Sequence, residues 1–319
     1  MGVNMEEKPE TFYKYRAFNT AVLESLCHDT IYFSNPRVFN DPLDCNPTLE
    51  SDSTIEELRR LLAFLVKKRV EAGALESLKQ ALMKGEDASR YAENMAKKKA
   101  DDELSYIAYQ AASPEYEVDI KEAERWILVT QIESELNQYY ERGVSCFSIT
   151  YSNALLWSHY GDQHQGICIG YGVERRPLPE LSKVLYGGSR IIKTSQLINT
   201  FLMNNTEEKK KLERNILLRK AEDWDYEEEW RLIGKQGVQD SPLLLKEITF
   251  GLRCPNYIKH TVVKVLLGRS SKMQYFEMKT NRGSYELCRE PLDVAELGVY
   301  LPQTARSGIE IFGSEIDEQ

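Results

Sequence analysis

Apolar positions recur along the chain with two different periods, and the period changes twice. From Thr11 to Ser34 the pattern is short and strand-like. Phe12 to Arg16 alternates, with Tyr13 and Tyr15 on one side of a pleat and Lys14 and Arg16 on the other. Asn19 or Thr20 caps a predicted helix carrying Val22, Leu23 and Leu26, and Thr30 to Ser34 reads as a second strand. Asn35-Pro36 and Phe39-Asn40-Asp41-Pro42 follow, a stretch dense in turn formers. Asn40 and Asp41 can bond neighbouring amides there or point at a ligand.

From about 53 to 141 the period becomes helical. Ile55, Leu58, Leu61, Leu62 and Leu65 fall on one stripe behind a Ser53 or Thr54 cap. Leu75, Leu78 and Leu82 predict a separate helix ending near Gly85, Tyr91 to Ala112 another, and Trp126, Val129, Ile132 and Leu136 the stripe of a last one. This stretch reads as an all-helical insertion. Strand-like text resumes at Gly143 with Val144 to Ser148. A short helix starts at Asn153 and closes at Gly161. The continuously apolar run Ile167 to Tyr171 predicts a buried strand. Lys183 to Tyr186 reads as a strand, 194–220 as one polar helix, and Trp224 to Ile233 as a strand. Leu244 to Gly251 and Val262 to Gly268 are expected to be strands, with a helical turn over 255–260 between them, and Tyr285 to Arg289 is expected to add one more. The whole predicts one α+β domain over 1–319, a mixed, curved or split β-sheet with flanking helices and the insertion. The acidic end, 303–319, is expected to be disordered.

Composition narrows the partners. The 319 residues are 42% hydrophobic and 29% charged with a net charge of −9. Generic binding to a nucleic-acid backbone is therefore not expected, although a small basic pocket for one anionic ligand is compatible with this charge. No apolar run spans a bilayer, so no membrane partner is expected. The six cysteines lack paired spacing, which points to reduced thiols and a cytoplasmic setting. His159 and His164 with Cys146 and Cys168 lack the ligand spacing of a zinc site, so packed thiols account for them better and no metal is expected.

Candidate chemistry concentrates in Trp224–Ile233. On a strand, Glu227, Glu229 and Arg231 would share one face, and neighbouring carboxylates repel, so one of them can hold a proton near neutrality. The plainer alternative is an edge strand whose charges face water, Arg231 neutralising Glu229. The helix Trp157-Ser158-His159-Tyr160 is the second informative element. Its Trp157 and Tyr160 are spaced for packing, and its His159 could meet His164 at a ligand.

Taken in order, Tyr13-Lys14-Tyr15-Arg16, Phe39-Asn40-Asp41-Pro42, Trp157-Ser158-His159-Tyr160-Gly161 with His164 and Gly166, and Tyr226-Glu227-Glu228-Glu229-Trp230-Arg231 resemble a bacterial family of unknown function over roughly 12–270. The order of parts also resembles the ADP-ribosyltransferases: a first-strand Arg16, then Tyr32 with Ser34 or else Cys146-Phe147-Ser148, then Glu227-x-Glu229. No S-T-S triplet is present. That resemblance implies NAD as substrate, Arg16 as phosphate clamp and Tyr32 as stacking ring. It gives Glu229 the role of charge-stabilising acid and Glu227 that of its hydroxyl-orienting neighbour. Tyr13, Ser34, Asn40, Asp41, Trp157, His159, Tyr160, His164 and Arg231 would line the site. The implied activity is an NAD-using transferase or glycohydrolase, in bacterial stress or phage defence, acting on a macromolecular acceptor that the sequence leaves unknown. Two alternatives stand beside it: a metal-dependent phosphoester or nucleotide hydrolase, and a non-catalytic sensor using the insertion as its partner surface.

Overall fold

The computed structural model describes residues 9–82, 85–139, 142–269, 273–301 and 310. In chain order the elements begin β1 (Thr11–Arg16), α1 (Thr20–His28), β2 (Thr30–Phe33) and β3 (Thr48–Glu50). Three long helices follow: α2 (Ile55–Gln80), α3 (Glu86–Ala111) and α4 (Ile120–Tyr139). Next come β4 (Gly143–Ser148), α5 (Ala154–His159), β5 (Ile167–Gly172), β6 (Leu181–Lys183), β7 (Leu185–Tyr186) and β8 (Ile191–Lys193). After α6 (Thr194–Phe201) and α7 (Thr206–Leu217) run β9 (Arg219–Lys220), β10 (Glu229–Gly234), β11 (Gly237–Asp240) and β12 (Leu244–Phe250). The order ends with α8 (Asn256–Leu266), β13 (Gln274–Thr280), β14 (Leu287–Pro291) and α9 (Val294–Tyr300). The fold is α+β. Among the described residues no helix is long and apolar enough to cross a membrane. Of 303–319, expected to be disordered, all but residue 310 lie outside the described residues.

Eight strands form one mixed sheet in the order β14-β13-β12-β5-β1-β4-β10-β6. Its one parallel pair is β12 with β13. Parallel neighbours need a crossover, and α8 supplies it, so Val262 to Leu266 is helical where a strand is predicted over Val262 to Gly268. The buried face of α8, Ile258, Val262, Val263 and Leu266, has helical spacing, which its β-branched composition disguises. One central joint is incomplete. β1 ladders with β5 along its length, from Thr11–Gly172 to Arg16–Ile167, but registers with β4 at the single pair Tyr13–Ser148. On the Arg16 side of that pair the two strands are not laddered and the sheet is split.

The insertion is an up-down-up bundle of α2, α3 and α4. Thr54 accepts from the amide of Glu57, whose carboxylate takes the Thr54 amide, a capping box at the start of α2. Helix α2 runs unbroken through Leu75, so the two helices predicted over 55–85 are one. Arg59 and Arg69 bond Glu124 and Glu135 on α4, the latter in two bonds of 2.7 Å each. The buried stripe of α4 is Ala123, Ile127, Leu128, Ile132 and Leu136. Trp126, predicted to lie on it, is 62% exposed. This stripe continues into Leu197, Phe201, Leu212 and Ile216, so the bundle shares its core with α6 and α7. The single polar helix predicted over 194–220 is broken between 201 and 206, where Asn204 takes a left-handed conformation and Asn205 caps α7.

Candidate functional site

The opening between β1 and β4 is a cavity of about 350 Å³, within the range of small-molecule sites. Tyr13 to Arg16 form one wall and Val144, Cys146, Phe147 and Ser148 the other. Ser34 closes the far end of β4 by exchanging backbone bonds with Val144, of 2.9 and 2.8 Å. Tyr32, Phe39 and Asn40 complete the rim, and Leu156, Tyr160, Asp44, Lys220, Glu227 and Glu229 the floor.

The acids reach that floor by a different backbone path from the predicted strand. Residues Glu222–Glu227 form a 3-10 turn, whose first residues carry Glu222, Asp223 and Asp225. Carboxylates at that end favour the turn because the free amides there are positive. Glu228 is left-handed, with φ 45°, and β10 begins only at Glu229. That kink brings Glu227 and Glu229 onto one ammonium. Lys220 lies 2.6 Å from Glu227, 3.2 Å from Glu229 and 3.7 Å from Asp44. Within β10, Arg231 follows Glu229 on the same face. It binds Glu229 through Nε at 2.7 Å and Nη2 at 3.0 Å, and Asp44 at 2.6 and 3.0 Å.

Three carboxylates thus enclose two cations inside the protein. Burial pushes Glu229 up, but Arg231 and Lys220 outweigh it and hold the carboxyl down to about 2. Glu227 is raised, by burial first and then by Glu229, with Lys220 pulling the other way. The two acids therefore diverge, and Glu227 is the better proton acceptor. Its Oε1 accepts from the Tyr160 hydroxyl at 2.9 Å, and that hydroxyl accepts from Asn40 Nδ2 at 3.1 Å. Burial and Glu227 raise the Tyr160 phenol, which keeps it a donor. Apart from Glu227 Oε1, which faces the Tyr160 hydroxyl, the carboxylate oxygens here face the Lys220 ammonium or the Arg231 guanidinium.

Sequence-based expectations are met unevenly. Arg16, Tyr13, Tyr32, Ser34, Asn40, Tyr160, Glu227 and Glu229 line the one cavity although they come from both halves of the chain. Five other candidates are placed elsewhere. Trp157 is wholly buried, donates to the Tyr151 carbonyl at 2.8 Å and packs edge-on to Tyr15. His164 stacks on Trp157, and His159 sits edge-on to Trp224 and Tyr160. Neither histidine is among the lining residues. Asp41 accepts from the amide of Leu43, a turn contact. Arg231 is 0% exposed. It is neither a surface neutraliser of Glu229 nor a ligand contact, because its donors are spent on Glu229, Asp44 and the Leu217 carbonyl. Glu229 carries three such bonds, which leaves little capacity for a ligand.

Asp44 and Lys220 were not foreseen from sequence. Asp44 had a signal, lying just beyond the Phe39–Pro42 turn. Lys220 had none, since its position depends on the short parallel pairing of β9 with β7.

No curated protein and no solved structure matches the chain. Residues 156–232, spanning the Trp157–Gly161 and Tyr226–Arg231 motifs, match the family model DUF2971, described as a protein of unknown function.

Proposed function

We propose that the cavity binds the nicotinamide end of NAD and that the protein transfers ADP-ribose from it, to an acceptor hydroxyl or to water. The observation that carries this reading is the meeting of Arg16, Tyr32 and Glu227 on one hollow. Tyr32 offers a ring that is 47% exposed at the rim, suited to stack on a planar base. Arg16 offers a cavity-lining guanidinium that is in no ion pair among the described residues, suited to phosphate. The floor, when all its groups are ionised, carries three carboxylates against two cations. That excess negative charge suits a reaction whose transition state gains positive charge at the ribose.

In the proposed step the bond between ribose C1′ and the nicotinamide nitrogen breaks. Its electron pair neutralises the pyridinium, and neutral nicotinamide leaves. The acceptor oxygen bonds to C1′, and its proton passes to Glu227 and then to solvent. Glu227 takes the acid–base role here and Glu229 that of holding Lys220 and Arg231, because Glu227 has the spare lone pairs and the raised pKa. Loss of a general base slows such steps by about 10²- to 10⁴-fold. Chromatographic assay of nicotinamide release from NAD tests this. The wild-type chain releases nicotinamide and Glu227→Gln, folded by circular dichroism, does not. No release by the wild type, or equal release by both, overturns the proposal.

A further inference from the structure

Most cations drawn into this protein are matched. Lys220 and Arg231 have Asp44, Glu227 and Glu229, and Arg289 has Glu247 at 2.5 Å. Lys14 and Arg16 depart from that pattern. The Lys14 ammonium reaches across the split sheet to Ser145 Oγ at 2.9 Å and the Cys146 carbonyl at 3.0 Å, and it lies 4.9 Å from the centre of the Phe147 ring. All three partners are neutral, and one ammonium proton is left over. Among the described residues neither Lys14 nor Arg16 is in an ion pair. The groups that act on the ammonium are Cys146 on β4, Arg16 on its own strand and Glu229 on β10. Burial first, then Arg16, lowers Lys14 to about 8 despite the opposing pull of Cys146 and Glu229.

Placement makes this more than an odd pair. Lys14, Arg16 and Tyr32 line the main cavity and also a smaller hollow of about 30 Å³ behind it, lined by Val22, Ile31 and Tyr171 among others. In a chain of net charge −9, two adjacent cations at a cavity wall, neither in ion-pair contact with a carboxylate among the described residues, are held at a cost that an anion removes. We propose that Lys14 and Arg16 together form a pyrophosphate subsite, with Lys14 spanning the split between β1 and β4 and Arg16 closing on the outer phosphate. The proposal rests on the nucleotide reading above for the identity of the anion and adds Lys14 to it.

Titration calorimetry with inorganic pyrophosphate at pH 7 tests the subsite apart from catalysis. Wild type binds. Arg16→Gln and Lys14→Gln each lose about tenfold or more in affinity, the range for one charge-assisted contact, and Lys14→Arg keeps most of it. Absence of binding to wild type, or binding by both Gln variants as tight as that of wild type, overturns the subsite. Should Lys14→Gln fail to fold, acetylation of Lys14 in the wild type, followed by mass spectrometry, replaces it. Pyrophosphate protects this amine if the subsite exists and leaves its rate unchanged if it does not. Pyrophosphate binding without nicotinamide release would retain the subsite and remove the NAD reading. Nicotinamide release with no pyrophosphate binding would do the reverse.

Discussion

Glu229→Gln is the perturbation whose outcome the geometry determines most sharply, and stability rather than turnover is where it registers. Glu229 is 3% exposed and Arg231 is 0% exposed. Glutamine removes one of the three carboxylates while both cations stay buried, and its amide nitrogen must face Arg231 or Lys220 where an oxygen accepted before. Removing one partner of a buried pair costs about 3–5 kcal/mol. The retained carbonyl oxygen can still accept one bond, so the lower figure, about 3 kcal/mol, applies. With a urea m-value of about 3 kcal/mol/M, the midpoint falls by about 1 M. Glu227→Gln should cost about 1 kcal/mol, because that acid is already displaced toward its protonated form. Equilibrium urea unfolding followed by tryptophan fluorescence measures both. A Glu229→Gln midpoint within about 0.2 M of wild type would refute the account of this network as a folding element.

Acid should unfold the protein through the same group. Glu229 is depressed from 4.5 to about 2, so its contribution of about 3 kcal/mol is present above pH 4.5 and is lost as pH falls toward 2. Glu227, raised, stabilises the fold as pH falls toward 4.5, above that window, and so does not cancel the loss within it; circular dichroism across the window should show a loss of stability that Glu229→Gln lacks. Asn153→Ala should lower stability by about 1–2 kcal/mol by thermal melting, since Asn153 caps α5 through Leu155 and Leu156 and donates to the Tyr226 carbonyl at 2.8 Å. Gly166→Ala should be worse than either, because a Cβ there would run into the Arg16 carbonyl oxygen. Its melting temperature should drop, and pyrophosphate binding should weaken as β1 shifts.

How much of this was legible beforehand depends on whether the determinant is local. The capped helices, the buried β5 and the insertion follow from patterns within one segment, and they are present where Asn19, Thr54 and Asn153 place their caps. The path through 224–228 was misread because a Tyr/Trp/Leu alternation outweighed the run of acids that starts a helical turn. A different bias, toward β-branched residues, turned the second half of α8 into a strand. At the site, Arg16 and Tyr32 could be nominated from their motifs. The full engagement of Glu229 could not, since beyond Arg231 it depends on Asp44, far away in sequence, and on the pairing of β9 with β7 that places Lys220. Trp157 and His164 were conspicuous residue types in a motif, yet they pack on one another next to Tyr15.

The central claim is that one hollow, opened by the unladdered joint between β1 and β4, seats NAD. Titration calorimetry of NAD into wild type, Arg16→Gln and Tyr32→Ala tests it most directly, since both side chains are at least partly exposed and neither holds the fold together. The account predicts binding by wild type and about tenfold or greater weakening in each variant. NAD binding equally to all three, or to none, would contradict it.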